Sequence, residues 1–199
     1  MARKVSKWRV LSIGGVLVIV FYCTLTLASI VLFPGPVSPL TAWLSDLGNS
    51  SYNPLGAIFY NVGCVLTGLA LFPFFVGFYQ WYTSEKWRKS LIIVTQAVGF
   101  GGAFALVMIG VFSEDYGAIH HLWSVTFFVF NLLVLILGNM ALMTHIKFIR
   151  PIGYYGFIVA VINLVFVGFS YTSMLEWFTV FTALGYVAFL SYNTSKTSP

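Results

Sequence analysis

The chain has 199 residues, of which 59% are apolar and only 8% charged, with a net charge of +5 and a mean hydropathy of +0.93. A water-soluble domain carries about 25% charged residues, so this composition leaves too little polar surface for a globule in water and makes the bilayer the expected solvent. Nothing in it resembles a nucleic-acid-binding module, and the positive balance is read as a membrane-orientation signal.

The first apolar run, 10–33, follows Arg3, Lys4, Lys7 and Arg9. It exceeds the apolar core of a signal peptide, so it is expected to be an uncleaved span. A spanning helix needs ~20 apolar residues. Five more runs approach or meet that length: 55–80, 91–112, 119–143, 152–170 and 175–192. Lys86, Arg88 and Lys89 lie between runs two and three, Lys147 and Arg150 between four and five, and Lys196 after six. All ten basic residues thus fall on one side. The expected fold is all-α: a polytopic bundle of six transmembrane helices forming a single domain over 1–199. Both termini are cytoplasmic, and the cell (plasma) membrane is the expected location.

Segment 34–54, "PGPVSPLTAWLSDLGNSSYNP", is the long outer connection. Its prolines and glycines forbid a continuous helix, and Trp43 suits the membrane interface. Asn49-Ser50-Ser51 is a glycosylation sequon on that side. Asn53 should cap helix two, with Pro54 in its first turn, and Pro73 should bend that helix. Cys23 and Cys64 fall within spans, as small hydrophobes. In helix three Gly99 and Ala103, widened by Gly102, make a smooth packing face. Bulky residues at Gly99 or Gly102 should therefore destabilise the bundle.

Polarity concentrates in "FSEDYGAIHHLW", residues 112–123. The topology gathers Asp46, Glu114, Asp115, His120, His121 and Glu176 at the outer face. His120, Ser124 and Asn131 share one stripe of helix four, so His120 is the expected inward histidine and a direct or one-water partner of Asp46. Asn61 and Asn163 are candidate partners for Asn131 inside the bundle. Each acid also has a plainer role: Ser113 or Asp115 as a cap of helix four, Glu176 at the positive end of helix six, and Asp46 in an Asx-bonded turn.

The candidate ligand-binding set is therefore Asp46, His120, Ser45, Glu114, Asp115, His121, Glu176 and Ser124. Asp46, His120 and Glu114 could ligate a divalent metal, although no closed zinc spacing is present. A carboxylate–histidine pair could instead act as a general base.

The stretches "LSDLGNSSYNPLGAIFYNVGCVLTGLAL" and "GVFSEDYGAIHHLWSVTFF" resemble the prokaryotic membrane family of domain of unknown function 998, over roughly 10–192. The pattern is also remotely similar to the Frag/DRAM/Sfk-type family, associated with membrane-lipid organisation. By this resemblance Ser45, Asp46 and Gly48 match the family's outer-loop motif and His120 its helix-four histidine. Loop 45–48 reads Asp-Leu-Gly where the remote relatives often have Asp-Thr-Gly. Seven-helix ceramidase-like hydrolases use more outer histidines than this chain has. The resemblance implies a lipid-associated protein, with membrane lipids as partners and a headgroup, metal or small polar ligand at the outer site. The competing readings are a lipid hydrolase or transferase using the same residues, a structural scaffold, and a transporter. Transport is disfavoured by the lack of mid-membrane ionisable groups.

Overall fold

The structure is a computed structural model that describes residues 10–197. It contains six long helices: α1 (Val10–Val31), α2 (Ala57–Val76), α3 (Lys86–Val111), α4 (Ala118–Met143), α5 (Arg150–Gly168) and α6 (Ser173–Lys196). Short 3-10 turns occupy Ser45–Gly48, Gly77–Trp81 and Glu114–Tyr116, and the described residues contain no strand. All six helices are long and apolar enough to cross a membrane. The flanking Arg3, Lys4, Lys7 and Arg9 lie outside the described residues.

Each helix packs on its neighbour in sequence, and α1 closes on α6, so the six form a ring. Short connections dictate this: helices joined by a few residues run antiparallel side by side. One end of the ring carries 32–56, 112–117 and 169–172 and is here the acidic end. The opposite, basic end carries Lys86, Arg88, Lys89, Lys147, Arg150 and Lys196.

Without a hydrophobic drive between helices in lipid, close approach through small residues holds such rings. At Gly68 of α2 a Cβ would lie 2.9 Å from the Ala103 carbonyl oxygen and from the Val107 nitrogen of α3. The two backbones therefore touch where Ala103 is buried. Large aliphatic side chains such as Val16, Leu27, Leu69 and Ile158 stay exposed on the outside, where lipid replaces water.

The helix ends depart from the sequence expectation in informative ways. α2 begins at Ala57, not directly after Pro54. Asn53 still organises the entry: its Oδ1 accepts from Gly56 N–H (3.0 Å), and Ala57 N–H donates to its carbonyl (2.9 Å). Its amide donates to the Ser29 hydroxyl (2.9 Å) and the Leu47 carbonyl (3.0 Å), locking the long connection onto α1. Pro73 lies inside α2, and the helix tightens to 3-10 geometry from Gly77. The Gln96 amide of α3 donates to the Phe75 and Val76 carbonyls there (2.9 and 3.1 Å), satisfying acceptors that a helix end leaves open.

At the basic end the Trp81 indole donates to Thr194 (3.0 Å), and the Ile149 N–H donates to the Asn193 side chain (2.9 Å). His145 sits edge-on to Trp81, with ring centres 5.1 Å apart. Burial, with Arg88 and Lys147 nearby, holds its basicity below the usual histidine range. Cys23 and Cys64 are both free thiols.

Candidate functional site: an amphipathic cavity inside the ring

The acidic end is organised by hydrogen bonds that cross long sequence distances. Leu44 N–H donates to Glu176 Oε2 (2.6 Å), 132 residues away. The Ser173 hydroxyl and the Trp177 indole of α6 donate to the carbonyls of Pro39 (2.9 Å) and Ala42 (3.1 Å). The acid of helix six therefore does not cap its own helix. That cap is Thr172, which accepts from Leu175 N–H (3.4 Å).

Asp115 has a similar linking role. It accepts the Ser50 N–H (3.0 Å) and hydroxyl (2.8 Å), and the Ser113 hydroxyl (2.8 Å). Partial burial would raise its pKa, but the donors from Ser113 and Ser50 outweigh it and hold the carboxyl below its ordinary range. Neither Ser113 nor Asp115 caps α4. That helix starts after Gly117, whose φ of +51° is a left-handed conformation that favours glycine. Asp46 accepts the Trp43 N–H (2.7 Å) within its own turn. Burial raises its carboxyl, the Trp43 donor opposes this, and the Glu114 charge adds to it.

His120 is buried, whereas His121 is exposed and rests edge-on against Tyr171 (5.7 Å). Tyr171 also packs on Trp43 (4.8 Å) and Phe166 (4.9 Å). Burial, then the Glu176 and Glu114 charges, push its phenol up to about 12. His120 does not bond to Asp46. Its Nδ1 lies 2.8 Å from the Phe112 carbonyl oxygen. Because a carbonyl only accepts, Nδ1 carries the proton. Its Nε2 is buried without a hydrogen-bond partner, 3.5 Å from Glu114 Oε2. The acid turn 114–116 lies next to the histidine in the chain fold, while the Asp46 carboxylate is taken up by its own backbone.

Inside the ring is a cavity of about 110 Å³, well above the size that holds one water. Ser45, His120, Ser124 and Glu176 line its acidic-end portion. Tyr22, Tyr60, Cys64 and Thr67 follow along α1 and α2. Deeper, the walls are Leu71, Phe74, Phe78, Leu135 and Val187. No residue of α5 borders it; α5 packs outside, against α4 and α6. Among the described residues the Ser45 and Ser124 hydroxyls and the Asn131 amide make no hydrogen bond. Thr67 Oγ1 is likewise buried without a partner.

The sequence candidates thus divide. Ser45, His120, Ser124, Glu176 and Asn131 border the cavity; Asp46, Glu114, Asp115 and His121 do not. The expected asparagine pairing inside the bundle is not formed. Asn61 donates to the Gly48 carbonyl (2.9 Å), and Asn163 to the Phe128 carbonyl (3.2 Å). Asn163 meets α4 at Phe128, about one turn from Asn131, whose own amide is left without a partner. Asp46, His120 and Glu114 do not converge: among the described residues no three His, Cys, Asp or Glu side chains form a group that could hold a metal ion.

Gly102 also differs from expectation. It borders the cavity, and an added Cβ would meet only Phe130 Cβ, at 3.4 Å. The sequence reading missed Tyr22, Tyr60, Thr67, Asn139 and Tyr186. Asn139 is fully buried and accepts the Tyr186 hydroxyl (2.9 Å). One signal was available: Tyr60, Cys64 and Thr67 recur at helical spacing and mark a semi-polar stripe of α2.

A family model described as protein of unknown function (DUF998) matches residues 12–192. No curated protein and no solved structure gave a match.

Proposed function

The chain belongs to the DUF998 family, whose description assigns no activity, and from the cavity's chemistry we propose that it is a lipid-associated membrane protein that holds an amphiphile inside its helix ring. The polar head sits among Ser45, His120, Ser124 and Glu176, and the hydrocarbon chain lies along the phenylalanine and leucine walls. The observation behind this reading is the pairing of unpartnered polar atoms with an apolar interior. A buried polar group without a partner costs roughly 1–3 kcal/mol, so His120 Nε2 and Thr67 Oγ1 favour an occupant that supplies hydrogen bonds. Lining that is mostly apolar with a few convergent polar groups is the usual make-up of a small-molecule site. A lipid-associated role also agrees with the remote Frag/DRAM/Sfk-type similarity.

Gentle extraction of the full chain followed by native mass spectrometry is expected to show a retained single-chain or slender lipid. Removal of that species should expose the cavity to a fluorescent fatty-chain probe. A protein that carries no lipid and takes up no probe would leave the scaffolding reading. A hydrolase reading has one observation of its own: Nε2 has no hydrogen bond, on a histidine whose Nδ1 is fixed as donor, and lies 3.5 Å from the Glu114 carboxylate, a carboxylate–histidine arrangement of the kind a general base uses. Release of a cleaved product from the retained lipid would select it.

The whole of 1–199 is proposed to act as one domain of the cell membrane, with the acidic end outside and both termini inside, as the distribution of Lys and Arg favours. In a variant lacking Cys23 and Cys64, a cysteine at Ser50 is expected to react with an impermeant thiol reagent in intact cells. Cysteines at Lys86 or Arg150 are expected to be protected. Labelling of Lys86→Cys with protection of Ser50→Cys reverses the orientation.

A further inference from the structure

We propose that the occupant's headgroup is a hydrogen-bond donor without negative charge, best matched by a primary ammonium, and that phosphate and carboxylate headgroups are excluded. The inference rests on the amphiphile-binding reading and names the class of ligand within it. Its basis is the distribution of charge around the polar end of the cavity. Every described Lys and Arg lies at the opposite end of the ring: Lys86, Arg88, Lys89, Lys147, Arg150 and Lys196. The acidic end holds Asp46, Glu114, Asp115 and Glu176 and not one described Lys or Arg. Anionic headgroups are held by Arg and Lys through charge-assisted bonds. None is available here, and juxtaposed like charges would repel such a ligand.

The lining atoms are suited to the opposite partner. Glu176 is buried and borders the cavity, with Oε2 held by the Leu44 N–H. A carboxyl group anchored to backbone from one side keeps oxygen lone pairs for a donor on the other. His120 has its Nδ1 committed as donor, so its unpartnered Nε2 is an acceptor in the neutral ring. Tyr22 and Tyr60 share a long hydroxyl–hydroxyl contact of 3.5 Å, which leaves acceptor lone pairs beside the same space. An ammonium offers three donors and no acceptor, and the aromatic rings of Tyr22 and Tyr60 add a cation-compatible wall. An alkyl alcohol supplies one donor and should bind by the same atoms with less affinity.

The test uses the full chain in nanodiscs of uncharged-net phosphatidylcholine, with displacement of a fluorescent single-chain probe by dodecylamine, dodecanol and dodecyl phosphate at neutral pH. Dodecylamine is expected to displace the probe best, dodecanol next, and dodecyl phosphate at least about tenfold more weakly than the amine, as repulsion between like charges requires. Dodecyl phosphate binding as tightly as the amine overturns the headgroup assignment while leaving the amphiphile-binding reading intact. If none of the three displaces the probe, or the probe does not bind, the amphiphile reading itself fails. Glu176→Gln keeps the shape and an acceptor for Leu44 and removes the ionisable carboxyl group. It should shrink the amine's advantage over the alcohol several-fold. If that variant does not fold, Glu114→Gln, at the partly exposed neighbour of His120, should shrink the same ratio by a smaller factor. An unchanged amine-to-alcohol ratio in whichever of these variants folds overturns the role given to the acidic end.

Discussion

Replacing Gly102 by leucine is expected to weaken uptake of a fatty-chain probe while leaving the ring folded. The residue lies on α3 at the cavity wall, and the nearest atom to an added Cβ is Phe130 Cβ at 3.4 Å, an ordinary contact. The branched remainder of a leucine side chain therefore has only the cavity to enter. In helices such side chains lean toward the N-terminus, which on α3 is toward the basic end and the apolar part of the cavity. A bound hydrocarbon chain would then overlap the new methyl groups. Overpacking of that kind costs ~1–3 kcal/mol, which is roughly a 5–150-fold loss of affinity. For the empty protein the sign is opposite, because filling a cavity commonly adds about 0.5–2 kcal/mol of stability. Probe titration and thermal melts in one detergent check both halves. Retained binding, or a lowered melting temperature, would show that Gly102 packs against protein after all.

Gly110→Leu is expected to do the reverse and damage the fold. At Gly110 a Cβ would fall 2.7 Å from Val65 Cγ2 and 2.9 Å from the Val65 nitrogen, with the Asn61 carbonyl oxygen nearer still. Two of these three atoms are backbone, so no side-chain rotation relieves the overlap, and α2 must move away from α3. Asn61, which ties α2 to the Gly48 carbonyl, moves with it. A cost at or above ~3 kcal/mol follows, lowering the melting midpoint by roughly 6–12 °C for a chain of this size. A melting temperature unchanged from the parent would mean that the helices are not in backbone contact there.

The contrast between these glycines shows where sequence reading stops. Six spans are legible because apolar runs of helical length have no alternative in lipid, and the basic residues mark the ends of those runs. The burial of His120 beside an exposed His121 follows from a turn of about 100° between successive helix positions. Which acid meets which partner is not legible. Leu44 and Glu176 are 132 residues apart, and only closure of α6 on the first connection joins them. Asp46 was assigned to His120 by shared membrane side, but the backbone of its own turn was nearer. The cavity itself depends on how a ring of six closes and on α5 standing outside it, and no local pattern encodes either. Gly99 and Gly102 are both small residues on α3 by sequence, yet only the three-dimensional neighbours tell that one meets the Phe75 ring and the other borders open space.

Ring closure also sets an order of events during biosynthesis. Of the six helices α1 is made before the other five and α6 after them, and they are partners: the Ser12 hydroxyl of α1 donates to the Ser191 carbonyl of α6 (2.9 Å). Until α6 is laid in, the interior side of α1 and α2 faces lipid, and Leu44 lacks the carboxylate that receives its N–H. The nascent five-helix intermediate therefore exposes Tyr22, Tyr60 and Thr67 laterally in the bilayer, where each polar group seeks a partner. An amphiphile entering sideways at that stage would meet no barrier from α6.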